Sequence, residues 1–224
     1  MTIELTSGHL HDIRHTIRKD DVLQIFLKYG LKWLPNDHGS VVTNPEQFDY
    51  YEWYFAYGQL LQPKTILEIG VFGGASVLFL CLGYGTSPDF IQLVDNQTYP
   101  HLLKDAVDRI RTVADRAVID AIMFDSQRMP SLPNSANVQF DIISIDGDHR
   151  IGPCYHDLHI AAPNLAADGH ILCDDARHGD VSSAIDRYLS EHPELADLYV
   201  ETLTGTRILH RQDNGHLERC PLLR

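Results

Sequence analysis

Over roughly the first 62 residues, apolar positions recur at helical spacing. VLQIFLKYG ends on Gly30, where a helix C-cap would stand, and TNPEQFDYYEWYFAYGQLL opens with Asn44 as a cap and Pro45 in the first turn. From Gln62 the pattern shortens. TILEIG, FIQLVD, AVIDAIMFD, FDIISIDG and GHILCDD are brief β-rich runs, each separated from the next by a stretch suited to a crossover helix. This alternation predicts an α/β fold with a Rossmann-like, doubly wound sheet that is mostly parallel. LYVETL and TRILHR, joined by a tight Thr-Gly turn, predict an antiparallel C-terminal hairpin at the sheet edge. The expected organisation is an N-terminal helical extension over 1–62, a ligand-binding domain over 63–212 and a tail over 213–224. The segment 126–139, SQRMPSLPNSANVQ, reads as one long polar loop.

Composition narrows the partners. A formal net charge of -13 over 224 residues repels phosphate backbones and anionic lipid surfaces, so neither nucleic acid nor membrane is expected as a partner. No apolar run approaches the roughly 18 residues of a membrane helix, and MTIELTSGHLHDIRHTIRKDD lacks a signal-peptide core, which predicts a cytoplasmic location. Cys81, Cys154, Cys173 and Cys220 lie far apart without a CxxC spacing, and the 13 histidines form no HExxH motif. Reduced thiols and no zinc cluster are expected.

Ligands of doubly wound sheets sit beyond the carboxyl ends of the strands, and here those ends are acidic and glycine-rich. ILEIGVFGGAS places Gly70, Gly73 and Gly74 in a turn that lets a ligand approach the backbone, with Ser76 in the helix start that follows. Glu68, inside the strand end, suits a cationic ligand, and the GxxGG spacing differs from the GxGxxG of dinucleotide enzymes. A plain structural turn is the other reading. Asp95, ending FIQLVD, is placed to accept both ribose hydroxyl protons or to cap a helix, and NAD enzymes place a ribose acid similarly. Asp125 and Ser126 in MFDSQ suit either an adenine edge or a turn. IISIDGDHR and HILCDDARHG bring Asp146, Asp148, Asp174 and Asp175 to adjacent strand ends, a clustering whose repulsion calls for a cation or protons. Helix capping is the alternative for these acids. His149, three residues past Asp146, is suited to removing a proton, and His178 stands close enough to face a substrate.

The succession ILEIGVFGGAS, LVD, FDIISIDGDH, a helix containing DL, and ADGHILCDD resembles the class I S-adenosylmethionine-dependent methyltransferases over about residues 63–211. More narrowly it is similar to their metal-dependent O-methyltransferase branch, with its catechol, caffeoyl-CoA and macrolide-sugar enzymes. The resemblance implies S-adenosylmethionine as cofactor, with Gly70 and its neighbours on the methionine moiety, Asp95 on the ribose and MFDSQ on the adenine. It implies a divalent metal, magnesium, on Asp146, Asp174 and Asp175, and His149 as base, so that a chelated acceptor hydroxyl loses its proton and attacks the sulfonium methyl. The catechol type carries a lysine at the base position and an asparagine as third ligand, so the sugar type is nearer to this chain.

The expected activity is O-methylation of a small-molecule hydroxyl on a sugar, polyketide or phenolic metabolite. Rival readings are a cephalosporin-hydroxylase-like or NAD-dependent enzyme on the same fold, and a non-catalytic adenosyl-binding protein. Tyr50, Tyr51, Trp53, Tyr54, Phe55 and Tyr57 form an aromatic helix expected to pack into the core or against a second subunit of a homo-oligomer, and alternatively to act as a substrate lid.

Overall fold

The computed structural model describes residues 19–31, 48–96, 100–133, 137–202 and 204–212. Asn44, Pro45, Cys220, the expected tail and the side chain of Tyr50 lie outside the described residues. Two helices lead the fold, α1 (Lys19–Lys28) and α2 (Phe48–Leu61). Strands and helices then alternate: β1 (Thr65–Ile69), α3 (Ala75–Tyr84), β2 (Phe90–Asp95), α4 (Pro100–Arg111), β3 (Val118–Met123), β4 (Phe140–Ile145), α5 (Ile151–Ala161), β5 (Leu165–Cys173) and α6 (Gly179–Glu191). The hairpin β6 (Leu195–Val200) and β7 (Thr206–Arg211) completes the order.

The seven strands form one sheet in the order β3-β2-β1-β4-β5-β7-β6. The first five run parallel, and β7 pairs antiparallel with both β5 and β6. β1, β2 and β4 are buried along nearly their whole length, because helices cover both faces of a parallel sheet. The strand order reverses between β1 and β4, the topological switch point at which such sheets bind ligands.

Alternate residues of each strand feed two cores. Ile66, Ile91, Leu93, Ile142 and Leu172 pack with α1 to α4, and Leu67, Ile69, Val94, Ile143 and Ile171 pack with α5 and α6. The aromatic helix α2 belongs to the first core. Trp53, Tyr54 and Tyr57 are fully buried, Trp53 stacks on Tyr57 at 4.6 Å between ring centroids, and the Tyr57 hydroxyl meets His170 Nδ1 at 2.8 Å. Burial depresses the His170 imidazole to about 4, so that ring is a neutral partner of Tyr57.

Three local expectations change. The C-terminal hairpin is closed by residues 201–205 rather than by a tight two-residue turn, because this connection pairs with the segment after β5 through Ala176 N–H to Gly205 O and Arg177 N–H to Thr204 O, both at 2.9 Å. The 126–139 segment is no free polar loop. A short 3-10 turn, Ser126–Arg128, starts it, and Met129 and Leu132 plug into the second core, where their apolar surface is removed from water. β5 starts earlier than its GHILCDD signal, and its pairing with β4 shifts register between Phe140 and Ile142. No helix among the described residues is long and apolar enough to cross a membrane.

Candidate functional site

The carboxyl ends of β1, β2 and β4, together with the turn after β3, enclose a cleft of about 850 Å³. Its floor is the first glycine turn. Gly70 has φ +87, and a Cβ there would lie 2.1 Å from the Asp146 carbonyl oxygen, so only glycine lets the ends of β1 and β4 meet. Gly74 stands at the start of α3 in the left-handed conformation and supplies no side-chain cap, which leaves the first N–H groups of α3 for a ligand. Behind the turn, Glu68 is fully buried. Its Oε1 accepts a hydrogen bond from the Ser76 hydroxyl, while Oε2 has no partner among the described residues. Burial drives this carboxyl well above its ordinary range, with Ser76 acting in the opposite direction.

Asp95, at the end of β2, accepts from the Phe72 backbone N–H at 2.6 Å and lines the cleft with Phe72 and Asn96. Burial raises its pKa, and the backbone N–H groups of Phe72, Val71 and Asn96 oppose the rise. Across the cleft, Asp125 caps the 3-10 turn by accepting from Gln127 N–H at 3.1 Å. Asp125, Ser126, Gln127 and Arg128 all line the cleft wall. Asp125 is thus a turn former that also lines the cleft.

The acidic half adjoins this cleft through Asp146, which lines it as well. The register of β4 against β5 continues past Ile145–Cys173, and Asp174 N–H bonds to Ile145 O at 3.1 Å, so Asp146 and Asp174 stand side by side. Asp175 adopts φ +54, a left-handed conformation unusual for a residue with a Cβ, at the bend into α6. His149 Nε2 lies 3.1 Å from Asp175 Oδ2 and 3.4 Å from Asp146 Oδ1. Asp146, His149 and Asp175 offer ligand atoms within 4.8 Å of one another. Asp174 lies beside this group, buried, with Oδ1 held by the Thr204 hydroxyl at 2.9 Å. Asp148 pairs with Arg150, which holds its carboxyl below the ordinary range. His178 packs near His149, ring centroids 6.3 Å apart.

The titrations of this half follow from its excess negative charge. Burial and the charges of Asp146 and Asp175 push Asp174 well above the ordinary carboxylate range, against the Asp175 N–H and Thr204. Burial likewise raises Asp146, and His149 opposes it. The hydrogen bond to Asp146 lifts His149 to about 9 despite its own desolvation, with the charges of Asp175, Asp146 and Asp174 adding to the rise. The His149 imidazolium sets a positive charge against Asp146 and Asp175. Oxygen donors with one imidazole fit a divalent cation, which would compensate the repulsion recorded in the raised carboxyls.

Several residues at the site carry no local sequence signal. Thr204 arrives from the β6–β7 connection, 30 positions from its partner Asp174. Tyr51, on α2, has its phenol pushed upward by burial and by the charges of Asp146, Asp174 and Glu68, so the aromatic helix reaches the acidic end of the sheet. Phe72 and Arg150 join the cleft wall. Phe72, Arg150 and Gln127 lie inside the runs ILEIGVFGGAS, IISIDGDHR and MFDSQ, whereas Thr204 lies outside every such run.

A family model described as a methyltransferase domain matches residues 67–176. Solved structures share the fold at low identity. They include an S-adenosylhomocysteine-bound methyltransferase from Podospora anserina, with 18% identity, 92% of this chain and 94% of that chain covered, and a TM-score of 0.61. An O-methyltransferase from Bacillus cereus in complex with S-adenosylhomocysteine has 17% identity, 92% and 96% coverage and a TM-score of 0.58. The O-methyltransferase TomG from Streptomyces achromogenes, involved in tomaymycin synthesis and solved with S-adenosylmethionine, has 14% identity, 93% and 97% coverage and a TM-score of 0.59. No curated protein matches the sequence. The matched segment spans the glycine turn, Asp95 and the acidic strand ends, and it is similar to a methyltransferase domain.

Proposed function

We propose that this protein transfers the methyl group of S-adenosylmethionine to a hydroxyl of a small molecule, a sugar, polyketide or phenolic metabolite, with a divalent cation, magnesium, at the acidic strand ends. The observation that carries the reading is the position of Asp146. It lines the adenosyl cleft and belongs to the Asp146–His149–Asp175 group, so methyl donor and acid cluster share one wall. The O-methyltransferases from Bacillus cereus and Streptomyces achromogenes share this fold, which supports hydroxyl chemistry.

The cofactor fits the residues present. The bare N-terminus of α3 suits a carboxylate, Glu68 Oε2, unpartnered among the described residues by hydrogen-bond geometry, suits an ammonium group, and Asp95 suits the ribose hydroxyls. Asp146 and Asp175, with Asp174 beside them, would hold the cation. A bound divalent cation supplies Lewis acidity that lowers the pKa of a coordinated hydroxyl.

His149 is the residue placed to take the acceptor proton at Nε2. While it bonds Asp146 and Asp175 it carries a proton at neutral pH, because its pKa stands near 9. It becomes a base when the hydrogen bond to Asp146 and the ion pair with Asp175 are given up. The deprotonated oxygen then forms a bond to the methyl carbon as the carbon–sulfur bond breaks, leaving S-adenosylhomocysteine, and the fixed placement of the two reactants supplies much of the acceleration.

Calorimetric titration of the full chain with S-adenosylhomocysteine, with magnesium or with a chelator, and with NAD as control, tests the reading. Micromolar binding of S-adenosylhomocysteine but not NAD is expected, followed by magnesium-stimulated turnover in a screen of hydroxyl acceptors. Binding of NAD alone would remove the methyltransferase reading, and chelator-insensitive turnover would remove the cation.

A further inference from the structure

Asp157 lies on α5, away from the acid cluster, and is fully buried in a core otherwise made by residues such as Cys154, Leu158 and Ile69. Burying a carboxylate among apolar neighbours is costly unless it is hydrogen-bonded. Its bonds lead to the cofactor cleft. Oδ1 accepts from Gln127 Nε2 at 2.9 Å, and a Cβ added to Gly147 would come within 2.8 Å of Oδ2. Oδ2 itself is buried and has no partner among the described residues. Gln127 and Gly147 both line the cleft, one from the turn after β3 and the other from the end of β4.

The Gln127 amide nitrogen also faces Pro153 O at 3.2 Å and Ser126 Oγ at 3.3 Å. Three acceptors around one amide nitrogen fix its orientation, since Nε2 carries only two hydrogens. The preceding residue of α5 grips the same turn. His156 Nε2 lies 3.1 Å from Ser126 O and 3.0 Å from Met129 O. Helix α5 therefore holds the Ser126–Arg128 turn through two successive side chains, and Asp157 alone reaches both the turn and Gly147.

We propose that Asp157 is a positioning residue for the adenine end of the cofactor cleft, its buried carboxylate locking Gln127 and the Ser126–Arg128 turn against Gly147 in the geometry that receives the base. The inference rests on the reading of the cleft as an adenosyl site. Burial raises the Asp157 carboxyl to about 6, joined by the charges of Asp148 and Asp125 and opposed by the Ser126 hydroxyl and by His156. With Cys154, whose thiol burial and the Asp157 charge push upward, these are the titratable groups that face it from the β3–β4 turn, the β4 end and its own helix. The carboxylate form holds the turn at neutral pH, and acidification through about 6 converts it to the acid and weakens its acceptor role.

The test is calorimetry of the full chain with S-adenosylhomocysteine between pH 5 and 8. At pH 7.5, Gln127→Met and Asp157→Leu should each bind about tenfold more weakly than wild type, and the double variant no more weakly than the worse single one, since both break one contact. Asp157→Asn keeps an acceptor for Gln127 and should bind within about threefold of wild type. Wild-type affinity should fall as pH drops through about 6, and Asp157→Asn should not share that fall. If Asp157→Leu does not fold, Gln127→Met and the pH profile of Asp157→Asn carry the test. Wild-type binding with an unchanged Gln127→Met, or the same acid fall in Asp157→Asn, overturns the positioning role. No binding by the wild-type chain overturns the adenosyl reading and this inference with it.

Discussion

The two halves of the site are held by different forces. At the ends of β1 and β2, the backbone sets the geometry: Gly70 and Gly74 take positive φ, α3 starts without a side-chain cap, and Asp95 is fixed by the Phe72 N–H. At the ends of β4 and β5, charge sets it: Asp146, Asp174 and Asp175 crowd together with one imidazolium and one threonine hydroxyl to balance them. The glycine turn, built from backbone dihedrals, carries no titrating group of its own and keeps its shape as pH changes. A half built from repelling carboxylates depends on pH and on added cations.

Changing one residue at a time breaks or sharpens that contrast. The largest effect belongs to Gly70→Ala, where a Cβ would run into the Asp146 carbonyl at φ +87. Strain and overpacking together should cost about 3 kcal/mol, read as a lowered urea midpoint. Next, Asp95→Ala should weaken S-adenosylhomocysteine binding by about 100-fold in calorimetry, because charge-assisted hydrogen bonds to the ribose are lost, while thermal stability changes little.

On the acidic side the sign of the pH effect is fixed by His149. Its folded pKa of about 9 exceeds the unfolded value of 6.5, so its contribution is complete below about 6.5 and is lost as pH rises through 9. The raised carboxyls of Asp146 and Asp174 act in the same direction: each binds its proton more tightly when folded, so stability falls as pH rises through the window above the ordinary value of 3.8. With the ring 41% exposed, solvent screening limits the His149 share to about 1 kcal/mol. Melting curves from pH 6 to 10 should show a decline for wild type that flattens in His149→Gln. Magnesium at millimolar concentration should raise the wild-type melting temperature by a few degrees and leave Asp146→Asn unmoved. The smallest change is Thr204→Val, which removes one neutral donor from Asp174 and should cost about 1 kcal/mol in the same assay.

How much of this was legible varies with the range of the interaction. The five parallel strands were visible as short apolar runs because burial on both faces demands it, and the acids at their ends followed from chain order alone. The expected tight Thr-Gly turn between β6 and β7 was not what folds, because Thr204 and Gly205 pair instead with residues 176 and 177 after β5. The polar look of residues 126–139 hid Met129 and Leu132, two apolar anchors with no periodic pattern to announce them. The cation group expected on three aspartates involves His149 in close array with Asp146 and Asp175, while Thr204 engages Asp174.

The sequence by itself determined the alternation of strand and helix, the glycine turn and the acids at the strand ends, since all are properties of residues close together in the chain. Tertiary structure alone decided what those acids face. It set Asp174 against Thr204, brought Tyr51 of the aromatic helix toward the acid cluster and tied Asp157 of α5 to Gln127. Such contacts join residues tens of positions apart, and they are fixed only when the sheet order and helix packing bring distant segments within hydrogen-bonding range.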